Sequence, residues 1–322
     1  MLKKISENIW VPLSGTGCTP CLGWGSTLLP QRDGTIINQR PENYDQKYLY
    51  EIENKLEGAL LTKIDMKFIN GMIRKYKPKK ILEIGVASGG SSAIILNAIQ
   101  NIENSHLYSI DKLTNAFNVR GKETGWIVKE KFSNLMNKWT LYTGGITSNF
   151  IEKIGGDIDL VFIDTVHESP GEWLDVIQVM PFLKKTNAIV ILHDIRYHLH
   201  QGKVFFSSND HLFTYLKGEK IIPKVPYVIP NIGAVLLDDD QKKYYFDYFF
   251  ALISTWNYIP DIQEWNFIRN FVSKYYSKEL IEIYDSSYKL NKNYKKIIKG
   301  KKKKKYRKKR YGKKKLNKNV DL

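Results

Sequence analysis

The chain has 322 residues, 43% of them hydrophobic, and a formal net charge of +17. That length can bury one sizeable core plus extensions, and no apolar run reaches the roughly 20 residues of a membrane-spanning helix. The charge is concentrated: residues 289–318 hold 18 Lys or Arg and no acid, which leaves the rest of the chain close to neutral.

Residues 1–40 are rich in Gly, Pro, Ser and Thr, with Trp10 and Trp24, and read as an irregular extension. The opening MLKKISENIWVPL carries two lysines but too short an apolar segment for a signal peptide, so a soluble cytoplasmic protein is expected. Cys18 and Cys21 form a lone CxxC with no second pair and no surrounding βαβ pattern, so two ordinary thiols are expected. Residues 41–77 read as a helical lead-in. Leu49, Ile52 and Leu56, then Leu61, Ile64, Phe68 and Met72, recur at helical spacing, with Gly58 as a break and Pro78 as a stop.

The stretch KILEIGVASGGSS, residues 80–92, reads as a buried strand, a glycine loop and a helix N-terminus. Glycine permits close backbone approach and positive φ. The helix start offers free N–H groups and partial positive charge. This is not the dinucleotide fingerprint G-x-G-x-x-G, because position 87 is Ala87. Strands then alternate with helices: HLYSID at 106–111, WTLYTG at 139–144, DLVFID at 159–164 and NAIVILHD at 187–194, with helices over about 123–137 and 172–182. Such βα units predict a parallel sheet with right-handed crossovers and ligands beyond the strand C-termini. The segment 195–230 is less regular, and His198, His200 and His211 read as loop residues. NIGAVLL at 231–237 reads as a late strand. Two amphipathic helices, near 240–258 and 261–283, are expected to pack on the sheet or on a second subunit of a homo-oligomer.

Asp111 closes the second strand, 26 residues after Gly85, where an acid can accept hydrogen bonds from both ribose hydroxyls of a nucleoside. Asp164 ends the fourth strand, His167 follows three residues later, and His193-Asp194 ends the fifth. Adjacent parallel strands set the two carboxylates side by side, where they repel unless a cation or proton intervenes. A hard divalent ion such as Mg²⁺ meets that need.

The E-x-G-x-x-x-G pattern of Glu83, Gly85 and Gly89, with Asp111 in order behind it, resembles class I S-adenosylmethionine (SAM) dependent methyltransferases. The whole constellation resembles the group with macrocin-type O-methyltransferases and cephalosporin-hydroxylase-like proteins, over about residues 78–238. The resemblance implies a Rossmann-like seven-stranded, mostly parallel sheet with helices on both faces. It implies SAM contacts from Glu83, Gly85, Gly89, Ser91, Asp111, Gly144 and Asp164. It implies Mg²⁺ ligands in Asp164 and Asp194, with His193 as a third, catalytic roles for Asp164 and His167, and His167 as the base that takes the acceptor's proton. The sequence departs from relatives at two places. The fifth strand ends in His-Asp rather than two acids or Asp-Asn, and Gly144-Gly145 stands where many relatives carry Gly-Asp or Gly-Glu, so no acid there can contact adenine. Arg120 and Lys122 lie in an insertion that also resembles this group.

The expected organisation is therefore a 1–40 extension, a 41–77 lead-in, a 78–238 methyltransferase domain, 239–288 helices and a 289–322 tail expected to be disordered. The implied function is O-methylation of a small molecule or sugar hydroxyl. The tail could bind a polyanion, whether RNA, anionic lipid or acidic glycan, through counterion release. One competing function is a nucleic-acid methyltransferase anchored by that tail. Another is a non-catalytic binding protein on the same fold.

Overall fold

The computed structural model describes residues 2–6, 9–12, 52, 55–196, 208–224 and 230–316; side chains are described within 52–196, 211–224 and 230–297 of these. Cys18, Cys21, Trp24, His198 and His200 lie outside the described residues. In the N-terminal unit, residues 1–36, β1 (Leu2–Ser6) and β2 (Ile9–Pro12) pair antiparallel.

The second unit begins its described helices with α1, Lys63–Tyr76. Thr62 and Asp65 close its N-terminus as a capping box: the Asp65 amide donates to Thr62 Oγ1 and the Thr62 amide to Asp65 Oδ2. Lys77 in the left-handed conformation ends it, one residue before Pro78. The chain then alternates β3 (Lys80–Ile84), α2 (Gly90–Ile99), β4 (His106–Asp111), α3 (Trp126–Lys131), β5 (Trp139–Thr143), α4 (Thr147–Ile154), β6 (Leu160–Ile163), α5 (Gly171–Val179) and β7 (Ile189–His193). After these come α6 (Ser208–Tyr215), β8 (Gly218–Ile221), β9 (Ile232–Leu237), α7 (Tyr245–Ala251), α8 (Ile262–Val272) and α9 (Lys278–Leu316).

The sheet has seven strands in the order β5-β4-β3-β6-β7-β9-β8. β3 to β7 are mutually parallel, while β9 runs antiparallel to both of its neighbours. This is the expected mostly parallel sheet. Its central strands are continuous apolar runs because both faces are covered. In β3, Ile81 packs toward α1 and α2, while Leu82 and Ile84 pack toward α5 and the C-terminal helices. The order reverses direction between β3 and β6, which opens a crevice beyond their C-terminal ends.

Several boundaries differ from the sequence reading. The 123–137 helix is α3 followed by a 3-10 turn over Ser133–Lys138. The 261–283 helix is two helices, broken between Val272 and Lys278. β8 was not expected, and His211 lies in α6 rather than a loop. In the tail, where the sequence reading expected disorder, α9 continues through the basic stretch to Leu316. Lysine is a good helix former, and a helix already anchored by packing propagates at little further cost. That anchor is an aromatic stack: Trp265 and Tyr284 lie ring on ring at 3.8 Å, with Trp256 and Tyr288 beside them. Among the described residues, no helix is long and apolar enough to cross a membrane.

Candidate active site

The site begins at the turn out of β3. Gly85 has φ +89°, and a Cβ there would stand 1.9 Å from the Asp164 carbonyl oxygen. Only glycine fits that approach. The Gly85 amide donates to Ile110 O and the Asp164 amide to Ile84 O, so the loop is tied to the ends of both neighbouring strands. Gly89 caps α2 with φ +89° and packs against Gly125.

Asp111 holds the loop's shape. Its Oδ2 accepts from the amides of Val86 at 2.8 Å and Ala87 at 2.9 Å, and its Oδ1 from Leu113 at 2.8 Å. A carboxylate has about four acceptor positions. With three taken by the backbone, about one is left for a further donor.

Glu83 stands apart from the cavity. Strand alternation turns it toward α2, where Ser91, Ser92 and Ser109 donate to its carboxyl at 2.5, 2.6 and 2.6 Å. Burial pushes its pKa up to about 7, against those hydroxyls, which pull it down. Glu83 and Ser91 therefore brace the start of α2 from below.

A cavity of about 480 Å³ opens over the crevice. Gly85, Asp111 and Asp164 all line it, with Gly145 rather than Gly144 at the end of β5. Its far wall comes from α5 and from the C-terminal segment, with Asp175, Tyr258 and Glu264. Lys112 and Glu264 form an ion pair that joins the β4 end to α8. Lys122 pairs with Glu130 and lies over Trp126, which is buried.

Beside the cavity stands a cluster of acids and histidines. Asp164, His167 and Asp194 offer two carboxylate oxygens and an imidazole nitrogen, all within 4.8 Å of one another. His167 Nε2 is 3.2 Å from Asp194 Oδ2 and 3.7 Å from Asp164 Oδ1. The His167 amide donates to Glu172, and Asn231 Nδ2 to Asp194 Oδ1. Two hard oxygens and one nitrogen suit a divalent cation, so this donor set fits one. His193 lies beneath it, 7% exposed. Its Nδ1 is 3.3 Å from both Asp164 and Asp194, and its Nε2 is 3.3 Å from Asp65 of α1. Both nitrogens face carboxylates, which only accept, an arrangement that favours the doubly protonated ring. Burial alone would lower its pKa; the carboxylates of Asp164, Asp194 and Asp65 override this and hold it well above the ordinary value. Burial would likewise raise Asp65 and Asp194, and His193 instead draws both below the usual carboxylate range.

The structure thus brings Gly85, Asp111, Asp164, His167 and Asp194 together, leaves Glu83, Gly89 and Ser91 behind the loop, and seats His193 under the donor set rather than in it. Asp65, Glu172, Asn231 and Asp175 were not singled out in the sequence. Of these, only Asp65 left a trace there, as the fourth residue of a T-x-x-D capping pattern.

Residues 82–195 match a family model described as a methyltransferase domain. A comparison with curated proteins finds no match. The chain is similar to an O-methyltransferase from Bacillus cereus in complex with SAH at 14% identity and a TM-score of 0.42, covering 60% of this chain and 91% of that one. It is similar to the O-methyltransferase TomG from Streptomyces achromogenes, involved in tomaymycin synthesis and in complex with SAM, at 13% identity and a TM-score of 0.41, covering 62% and 99%. It is also similar to a methyltransferase from Geobacter sulfurreducens at 17% identity and a TM-score of 0.41, covering 64% and 93%.

Proposed function

We propose that this chain, whose residues 82–195 match the model of a methyltransferase domain, is a class I enzyme that transfers the methyl group of SAM to a hydroxyl oxygen of a small molecule or sugar. One observation carries the reading: Gly85, Asp111 and Asp164 share a single cavity, and that cavity adjoins the Asp164, His167 and Asp194 donor set.

SAM supplies a methyl on a positively charged sulfur: the S–CH3 bond breaks as the O–CH3 bond forms, S-adenosylhomocysteine leaves, and the hydroxyl's proton passes to solvent. The chain's work is then to orient the reactants and exclude water. Gly85 lets the cofactor rest against backbone at the switch point. Asp111 keeps the glycine loop in register and takes one ribose hydroxyl. Asp164, Asp194 and His167 would hold a divalent cation, with His167 in the ligand place that the sequence reading offered to His193. When bound, that cation supplies positive charge that makes a neighbouring hydroxyl more acidic. His193, pinned by Asp65, fixes the spacing of the two carboxylates. The test is transfer of labelled methyl from SAM to a panel of phenolic and sugar hydroxyls, with and without Mg²⁺. Label should move in the presence of Mg²⁺ and be lost in Asp164→Asn. Equal transfer by that variant would overturn the reading.

A further inference from the structure

The resemblance drawn from the sequence implies an acid after the strand WTLYT that can contact adenine, and this chain has Gly145 there. The cavity lining nonetheless holds carboxylates away from the strand ends, with Glu264 paired to Lys112, Asp261 capping α8, and Asp175 held by neutral groups alone. Asp175, on α5, lines the cavity. Its Oδ1 accepts from Thr147 Oγ1 at 3.0 Å and its Oδ2 from Thr165 Oγ1 at 3.1 Å. Thr147 opens α4 after β5 and Thr165 follows β6, so the two hydroxyls tie the carboxylate to the segments that follow both strands.

A nucleoside with its ribose at Asp111 and its reactive end at Gly85 and Asp164 must direct its base away from the glycine loop. The cavity lining includes Leu113, Ile146 and Val166, apolar surfaces suited to the faces of a planar ring, with Tyr258 and Pro260 from the C-terminal segment. Asp175 uses about two of its four acceptor positions on the threonines, and both of those partners are neutral hydroxyls. Resting on the reading that this cavity binds SAM, we propose that Asp175 accepts a hydrogen bond from the exocyclic amino group of adenine, replacing from α5 the acid that β5 lacks. Burial pushes the Asp175 carboxyl up to about 6, against the two threonine donors. A further N–H donor from the ligand offsets that desolvation.

The discriminating atom is the substituent on C6 of the purine. Adenine presents an amino donor there. Hypoxanthine presents a carbonyl oxygen, which a carboxylate repels. Calorimetric titration of the full chain with S-adenosylhomocysteine and S-inosylhomocysteine reads this directly. The wild type should prefer the adenosyl compound by at least about tenfold, because a buried acceptor left unpaired is costly. Asp175→Asn offers both a donor and an acceptor, so its preference should shrink to within about threefold. Asp175→Ala, with thermal unfolding of both variants, covers a failure of the asparagine variant to fold, and should also lose the preference. The same preference in a folded variant, or none in the wild type, overturns the assignment. A wild type that binds neither compound overturns the cofactor reading itself, and this assignment with it.

Discussion

A β-carbon on Gly85 would stand 1.9 Å from the carbonyl oxygen of Asp164, so the ends of β3 and β6 meet backbone to backbone at the cavity floor. Gly85→Ala adds a clash to a positive φ. It should destabilise the chain by more than about 2 kcal/mol and abolish binding of S-adenosylhomocysteine. Thermal unfolding and calorimetry check both; wild-type values in each would remove the steric argument.

Asp111 accepts three backbone amides that shape the glycine loop. Asp111→Ala frees them along with the ribose contact, so cofactor affinity should fall at least tenfold, about 1.4 kcal/mol. Unchanged affinity would place the nucleoside elsewhere.

His167 Nε2 faces both Asp164 and Asp194. His167→Ala should weaken Mn²⁺ binding at least tenfold, about 1.4 kcal/mol, measured by paramagnetic resonance on the cofactor-free protein. Full metal affinity combined with lost transfer would instead return His167 to the role of proton acceptor.

Glu83 gives a pH signature. Its carboxyl holds its proton more tightly in the folded chain, at about 7, than at the ordinary value of 4.5. The folded state therefore gains while the group is protonated, and that gain is lost as pH rises from 4.5 through about 7. Glu83→Gln stays neutral throughout. Relative to wild type it should become more stable across this window, by up to about 3 kcal/mol. Denaturant unfolding at both ends of the window checks this, and parallel pH profiles would contradict it.

The anchor of α9 extends past residue 289. Asn291 Oδ1 accepts from the Trp256 amide at 2.9 Å, its Nδ2 donates to Ser254 O at 3.0 Å, and Lys295 Nζ donates to Asn257 O at 2.7 Å. These bonds hold the segment that leads directly into Tyr258 and the cavity wall. Deleting 298–322 should leave the melting temperature nearly unchanged, while deleting from 289 should lower it by about 4 °C or more. Equal melting temperatures for the two truncations would show that this end of α9 does not support the wall.

What could be read from the sequence followed from local rules. Strands β3 to β7 were legible because a parallel strand covered on both faces is a continuous apolar run. The Gly85, Asp111, Asp164 and Asp194 positions followed, since each closes such a strand. β8 was hidden because GEKI is short and half polar. Glu83 was misplaced because its position in the motif suggested a ligand contact, whereas strand alternation sends it to the α2 face with Ile81. The contact of His193 with Asp65 could not be read locally, because only the fold brings Asp65 to it. Asp175 was not singled out because nothing local ties it to Thr147 and Thr165.

The most direct test of the account is calorimetric titration of the wild-type chain with SAM. It predicts one-to-one binding that is lost in Gly85→Ala and weakened in Asp111→Ala. Absence of binding by the wild type, or equal binding by all three proteins, would contradict it.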